Sequence, residues 1–193
     1  MMCRAVLAAV AFSVAVPAAA QPSSGDAARE AAIYPVGTVV DMRAWLARVP
    51  VTRAFPPDFA GSLRAQAPLF TIEMTTAPGC VPCDDAWARL AAFRARYGWQ
   101  VRVIGRDEAL LRSGRLGLPW VGHPVIWVRP IADPTRIVPI AIGTDHDANL
   151  ARNAWLAARM LSGLSPQTGL RAMAKFTGIV GAASSSPSIP ARR

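Results

Sequence analysis

The chain of 193 residues is 52% hydrophobic and 17% charged, which supplies enough apolar material for one domain with a true core and excludes an intrinsically disordered protein. Its formal net charge is +9, yet the cations are nearly all arginines, with Lys175 the only lysine. They are scattered instead of interleaved with aromatics in a stripe, so the composition argues for a solvated basic surface and against nucleic acid as a partner.

Residues 1–20 have the layout of a secretory signal. Arg4 gives a short positive end, residues 5–16 form an apolar run, and Pro17-Ala18-Ala19-Ala20 offers an A-x-A cleavage site before Gln21. The run is shorter than the ~20 apolar residues that span a bilayer, and Pro17 interrupts it. Cleavage is therefore expected, with a membrane anchor as the alternative. Cys3 precedes the apolar run, which is the wrong side for a lipid-attachment cysteine. No later stretch is apolar for long enough to span a membrane, so the expected location is periplasmic, an oxidising compartment. Loss of Arg4 with the signal leaves a charge of +8 and only two cysteines, Cys80 and Cys83. That is too few for a disulfide-stapled scaffold, and the pair is too close to brace a long loop.

Residues 21–32 are small and polar and read as a flexible lead-in. A short strand is predicted over 36–40. Asp41 is placed to cap a helix over 42–48 that Pro50 ends. A bend at Pro56-Pro57 leads to a second short helix over 59–65. The run Leu69-Phe70-Thr71-Ile72-Glu73-Met74-Thr75 is that of a strand buried on both faces. After Ala77-Pro78-Gly79 and the cysteine pair, Ala86, Leu90, Phe93 and Tyr97 recur at helical spacing, and Gly98 is placed as the stop. A strand over 99–104 and a short helix over 107–112, closed by Gly114, follow. Strands over 125–128 and 137–142 flank a turn at Asp133-Pro134 and are expected to pair antiparallel. Pro139 has no N–H for a ladder, which places the second of them at an edge. Residues 144–147 are set to cap a last helix over 148–161, with Leu150, Ala154, Ala158 and Leu161 on one face. The domain is thus expected over 33–163. Residues 164–193, with no acidic residue after Asp147, read as a basic, poorly ordered tail.

Two thiols at C-x-x-C spacing on a helix start can form and break a disulfide. The positive end of the helix stabilises the thiolate of the first, Cys80, as nucleophile. The second, Cys83, lies one turn on and resolves the mixed disulfide. Pro82 stiffens this turn and has no N–H to lose there. The segment Leu69 through Thr75, the motif Gly79-Cys80-Val81-Pro82-Cys83, a helix, and then Gly122-His123-Pro124-Val125 together resemble the thioredoxin family. Cys83 and Pro124 are 41 positions apart, similar to the family's usual separation. The resemblance covers about residues 33–163. It implies a three-layer α/β fold, a mixed central sheet of four to five strands flanked by helices. It also implies a cis-proline at Pro124 that packs against the cysteine pair and shapes a client groove, and thiol–disulfide exchange without a bound cofactor. The partners it implies are client proteins with thiols or disulfides and a redox partner protein.

Gly79 stands where a tryptophan often precedes the first cysteine. The family's buried proton-carrying acid falls near Met74 by strict counting; Glu73 is one position away, and proton carrier and structural carboxylate are both open to it. His123, before the expected cis-proline, is placed to stabilise the Cys80 thiolate when protonated, or merely to line the groove. Asp84 and Asp85 suit the helix dipole but, as negative charges, work against that thiolate. Two other readings stand beside the enzyme: a catalytically idle scaffold of an envelope assembly, and a metal module using Cys80, Cys83, His123 and His146. The two histidines of the latter are 23 residues apart, far from usual zinc spacing.

Overall fold

The computed structural model describes residues 33–115 and 121–182. The expected signal (1–20), the lead-in (21–32) and the last residues of the tail (183–193) lie outside them. In chain order come β1 (Tyr34–Val36), α1 (Val39–Leu46), α2 (Phe59–Gln66), β2 (Phe70–Thr75), α3 (Val81–Tyr97), β3 (Gln100–Ile104) and α4 (Arg106–Arg115). They are followed by β4 (Val125–Pro130), β5 (Val138–Ile142), α5 (Asp147–Leu161), α6 (Pro166–Ala172) and β6 (Ile179–Gly181).

Four strands form one mixed sheet in the order β3-β2-β4-β5. β2 runs parallel to β3 and antiparallel to β4, and β5 is antiparallel to β4. All six residues of β2 are buried, although polar Thr71, Glu73 and Thr75 alternate along it with apolar Phe70, Ile72 and Met74. Its side chains still divide between two layers. Ile72 and Met74, with Ile126 and Val128 of β4, pack against Ala86, Leu90 and Phe93 of α3 and Leu150 and Ala154 of α5. On the other face Val125 and Trp127 meet Ile104 and Ala109 of α4. Helices thus flank both faces of a mixed four-stranded sheet, the three-layer, thioredoxin-like α/β fold that was expected. Each large aliphatic side chain sealed in the main core contributes about 1.5–3 kcal/mol.

α3 ends as its sequence requires. Gly98 takes φ +81, and its N–H donates to the Arg94 carbonyl at 2.8 Å, a left-handed stop open to glycine at little steric cost. Trp99 behind it is 1% exposed and donates from Nε1 to the Leu63 carbonyl at 2.8 Å, which ties α2 to the sheet. Pro139 sits on the outermost strand of the four, opposite Trp127, and the ladder slips by one residue beside it, as a missing donor allows.

Several boundaries differ from expectation. Residues 34–36, not 36–40, form the first strand, and α1 starts at Val39 because Thr38 caps it. Thr38 Oγ1 accepts from the Asp41 N–H at 3.1 Å and donates to the Asp41 carboxylate at 2.7 Å, a reciprocal cap three residues apart. α4 runs through Gly114 to Arg115; Arg112 anchors it to β2 and offsets the weak helix propensity of glycine. The domain does not stop at residue 163. α6 packs onto α5, and β6 pairs in parallel with β1 and bridges Gly143. The expectation of a poorly ordered tail therefore fails for residues 164–182. Ile179 and Val180 are 1% and 2% exposed, and their burial holds the segment in place.

Candidate active site

Gly79, at φ +68, turns the chain so that Cys80 occupies the N-cap of α3. The Cys80 carbonyl accepts from the Cys83 and Asp84 N–H groups at 3.0 and 3.3 Å, and Pro82 lies in the first turn. Cys80 and Cys83 are joined by a disulfide. Both are buried, at 5% and 1% exposure.

The His123–Pro124 peptide bond, which is cis, lies beside the first cysteine. Cys80 Sγ is 3.6 Å from the His123 carbonyl oxygen, an acceptor for the thiol once the pair is reduced. The same oxygen accepts from the Gly181 N–H at 2.7 Å, and the Pro124 carbonyl accepts from Gly143 N–H at 2.8 Å. The structure thus brings Cys80, Cys83, Pro82, His123 and Pro124 to one place. The contact from His123 to Cys80 runs through its backbone.

Glu73 is elsewhere. Its side chain alternates with those of Ile72 and Met74 and points to the opposite face of the sheet, where it is fully buried. Arg129 Nε donates to it, Arg102 donates from Nε and Nη2 at 2.9 and 2.7 Å, and Arg112 Nε donates at 3.1 Å. Burial opposes its ionisation. The hydrogen bonds from Arg129 and Arg102 and the charge of Arg112 outweigh that and hold its pKa below the usual glutamate value. Of the two roles open to it, the geometry is that of a structural carboxylate: a group kept ionised in this way holds no proton near neutral pH.

No protein-family model, curated protein or solved structure matches this chain.

Next to the cysteine helix, Asp85 accepts from Arg89 Nε at 2.8 Å and from the Thr144 hydroxyl at 2.5 Å. Burial resists its ionisation, but these bonds prevail and its pKa is lowered. Much of the charge expected to oppose a Cys80 thiolate is therefore already paired. Asp145 behaves oppositely. It is 1% exposed and accepts from the His146 N–H at 2.6 Å and Asn149 Nδ2 at 2.7 Å. Desolvation exceeds these bonds and pushes its pKa up to about 6. Asn149 continues to Pro50 and Thr52, which fastens the segment after α1 to the start of α5.

Among the described residues no group of three or more His, Cys, Asp or Glu side chains is placed to hold a metal ion. His146, one of the four considered as ligands, has Nε2 at 3.1 Å from the Leu46 carbonyl. No helix among the described residues is long and apolar enough to cross a membrane. Sequence reasoning missed Gly181. Its only signal was the β-branched pair Ile179-Val180 after Thr177-Gly178, too short a run to mark a strand.

Proposed function

We infer that the protein is an exported thiol–disulfide oxidoreductase that exchanges disulfides with client proteins through Cys80 and Cys83. The observation that carries this is the disulfide at the start of α3, set beside the His123 carbonyl on a fold of thioredoxin-like type. A client thiolate attacks Cys80 Sγ, the Cys80–Cys83 bond breaks, and Cys83 leaves as a thiolate that takes up a proton. A second client thiolate then displaces Cys80, so two electrons and two protons pass to the pair and the client gains a disulfide. The reverse sequence reduces a client disulfide. The N-terminus of α3 favours the thiolate of Cys80, and Cys83 within the same turn keeps the mixed disulfide short-lived. Residues 1–20 support delivery to the periplasm, where clients with thiols and a separate redox partner protein are the expected company.

The near-complete burial of both cysteines favours a second reading, a thioredoxin-like scaffold with a permanent disulfide. Equilibration of the purified chain in glutathione buffers, followed by alkylation of freed thiols, separates the two. A measurable reduction potential, with the Cys80–Cys83 bond opening reversibly, is the expected result, and its value sets the direction of electron flow. A bond that resists both glutathione and dithiothreitol in the folded protein removes the enzymatic reading and leaves the scaffold.

A further inference from the structure

We propose that residues 181–182 hold the place of a client at Cys80: an extended polypeptide docks there with its cysteine where Gly181 now stands, after the tip of β6 has swung away. The proposal rests on the exchange activity inferred above and adds to it how the client is held.

Three observations converge on this position. The Gly181 N–H donates to the His123 carbonyl at 2.7 Å and the Ala182 N–H donates to the Val36 carbonyl at 3.0 Å. The tip is therefore an extended segment held by main-chain bonds alone, a mode any sequence can copy. A Cβ built on Gly181 falls 2.9 Å from Cys80 Sγ and 3.3 Å from Cys80 Cβ. Residues joined by a disulfide have their Cβ atoms about 3.5–4.5 Å apart, so a cysteine here needs a shift of only a few tenths of an ångström to bond Cys80. Finally, Gly181 is not among the glycines with positive φ. Its backbone does not demand glycine; the sulfur does, because any side chain would collide with Cys80.

The occupant also accounts for the burial of the sulfur. Cys80 is 5% exposed with Gly181 against it, so movement of the tip widens the approach of an incoming thiolate to Sγ. Ile179 and Val180 are sealed in the core, whereas Ala182 is exposed, which makes Val180 the fixed point and Gly181 the first residue to move. The client then inherits the two carbonyl acceptors, His123 and Val36, and presents its sulfur to Cys80.

Two full-length variants test this. In Gly181→Cys, the thiolate introduced at position 181 attacks Cys80 Sγ, the Cys80–Cys83 bond breaks, and Cys83 leaves as a free thiol, so no external oxidant is consumed. Peptide mapping of the alkylated, unreduced protein should find Cys80 linked to the new side chain at position 181 and Cys83 alkylated. In Ala182→Pro the N–H that ties the tip to Val36 is gone. Reduction of the Cys80–Cys83 bond by glutathione should then quicken about fivefold to tenfold, the effect of losing one main-chain hydrogen bond, with an unchanged melting temperature. An intact Cys80–Cys83 bond in Gly181→Cys, or an unaltered rate in Ala182→Pro, overturns the proposal, while reversible exchange in the parent chain leaves the oxidoreductase standing. No exchange with glutathione in the parent or in Ala182→Pro overturns the oxidoreductase and this proposal together.

Discussion

Replacing Glu73 by glutamine keeps the shape of the side chain and one carbonyl acceptor but removes the charge that three guanidinium groups share. Arg112 and Arg129 have side chains only 8% and 13% exposed, and Arg102 is 46% exposed. After the substitution the remaining carboxylate within reach is Glu108, which accepts from Arg102 and Arg112 at 2.8 Å each. Removing one partner of a buried ion pair costs roughly 3–5 kcal/mol. Arg102 is screened by solvent and adds little, so the expected loss for Glu73→Gln is about 3 kcal/mol. For a domain of this size that lowers the melting temperature by roughly 6–12 °C. Urea unfolding at pH 7 reads the free energy directly. The pH dependence has a definite sign. The folded pKa of Glu73 is depressed, so its contribution is fully present above the unfolded value of about 4.5 and is lost as pH falls through the folded pKa. The gap between parent and variant should therefore close in acid, while the reduction potential of Cys80–Cys83 stays the same. A loss below about 1 kcal/mol, or a changed pH profile of exchange at Cys80, would refute the structural role and restore Glu73 as a proton carrier.

Asp145→Asn should act in the opposite sense: with a folded pKa of about 6 against an unfolded value near 3.8, the parent loses up to about 3 kcal/mol as pH rises from 4 to 6. The variant should lack this decline in urea titrations across that range and be the more stable protein at pH 7; parallel stability curves would show that Asp145 does not titrate near 6. Gly98→Ala places a side chain at φ +81 and should destabilise the domain by about 1 kcal/mol. Differential scanning calorimetry reads the change, and an unaltered or raised melting temperature would mean that this helix stop is not under conformational constraint.

What is legible in the sequence is local. The C-x-x-C pair, Pro82 and Gly98 carry their meaning within one helix, because a cap, a first turn and a left-handed stop each depend on a few neighbouring residues. The β-branched and large apolar residues of β2 likewise announced a strand buried on both faces. Glu73 shows where this ends. Its sequence position, one residue from the expected acid, says nothing of the face it takes, and a shift of one in a strand moves a side chain across the sheet. Its partners Arg102, Arg112 and Arg129 come from three other elements. β6 was invisible for a different reason: three residues show no period, and its partner β1 lies at the opposite end of the domain. The same short strand supplies Gly181, so the part of the site contributed by the end of the domain went with it.

The energetics of β6 decide which part of it can yield. Lifting the whole strand would expose Ile179 and Val180, whose burial contributes about 1.5–3 kcal/mol each. It would also break the main-chain bonds that link residues 178 and 179 to Ile142 and Thr144. Such an opening approaches the total stability of a domain, about 5–15 kcal/mol, and would leave the disulfide unreactive on any useful timescale. Among the described residues, lifting 181–182 breaks the bonds to His123 and Val36, about 0.5–1.5 kcal/mol each. At a total of about 1–3 kcal/mol the open form is populated at roughly the per cent level, and a client that satisfies the same two carbonyls recovers the energy on docking. A buried sulfur and an active disulfide are therefore compatible here, because the element that covers the sulfur is anchored one residue before it.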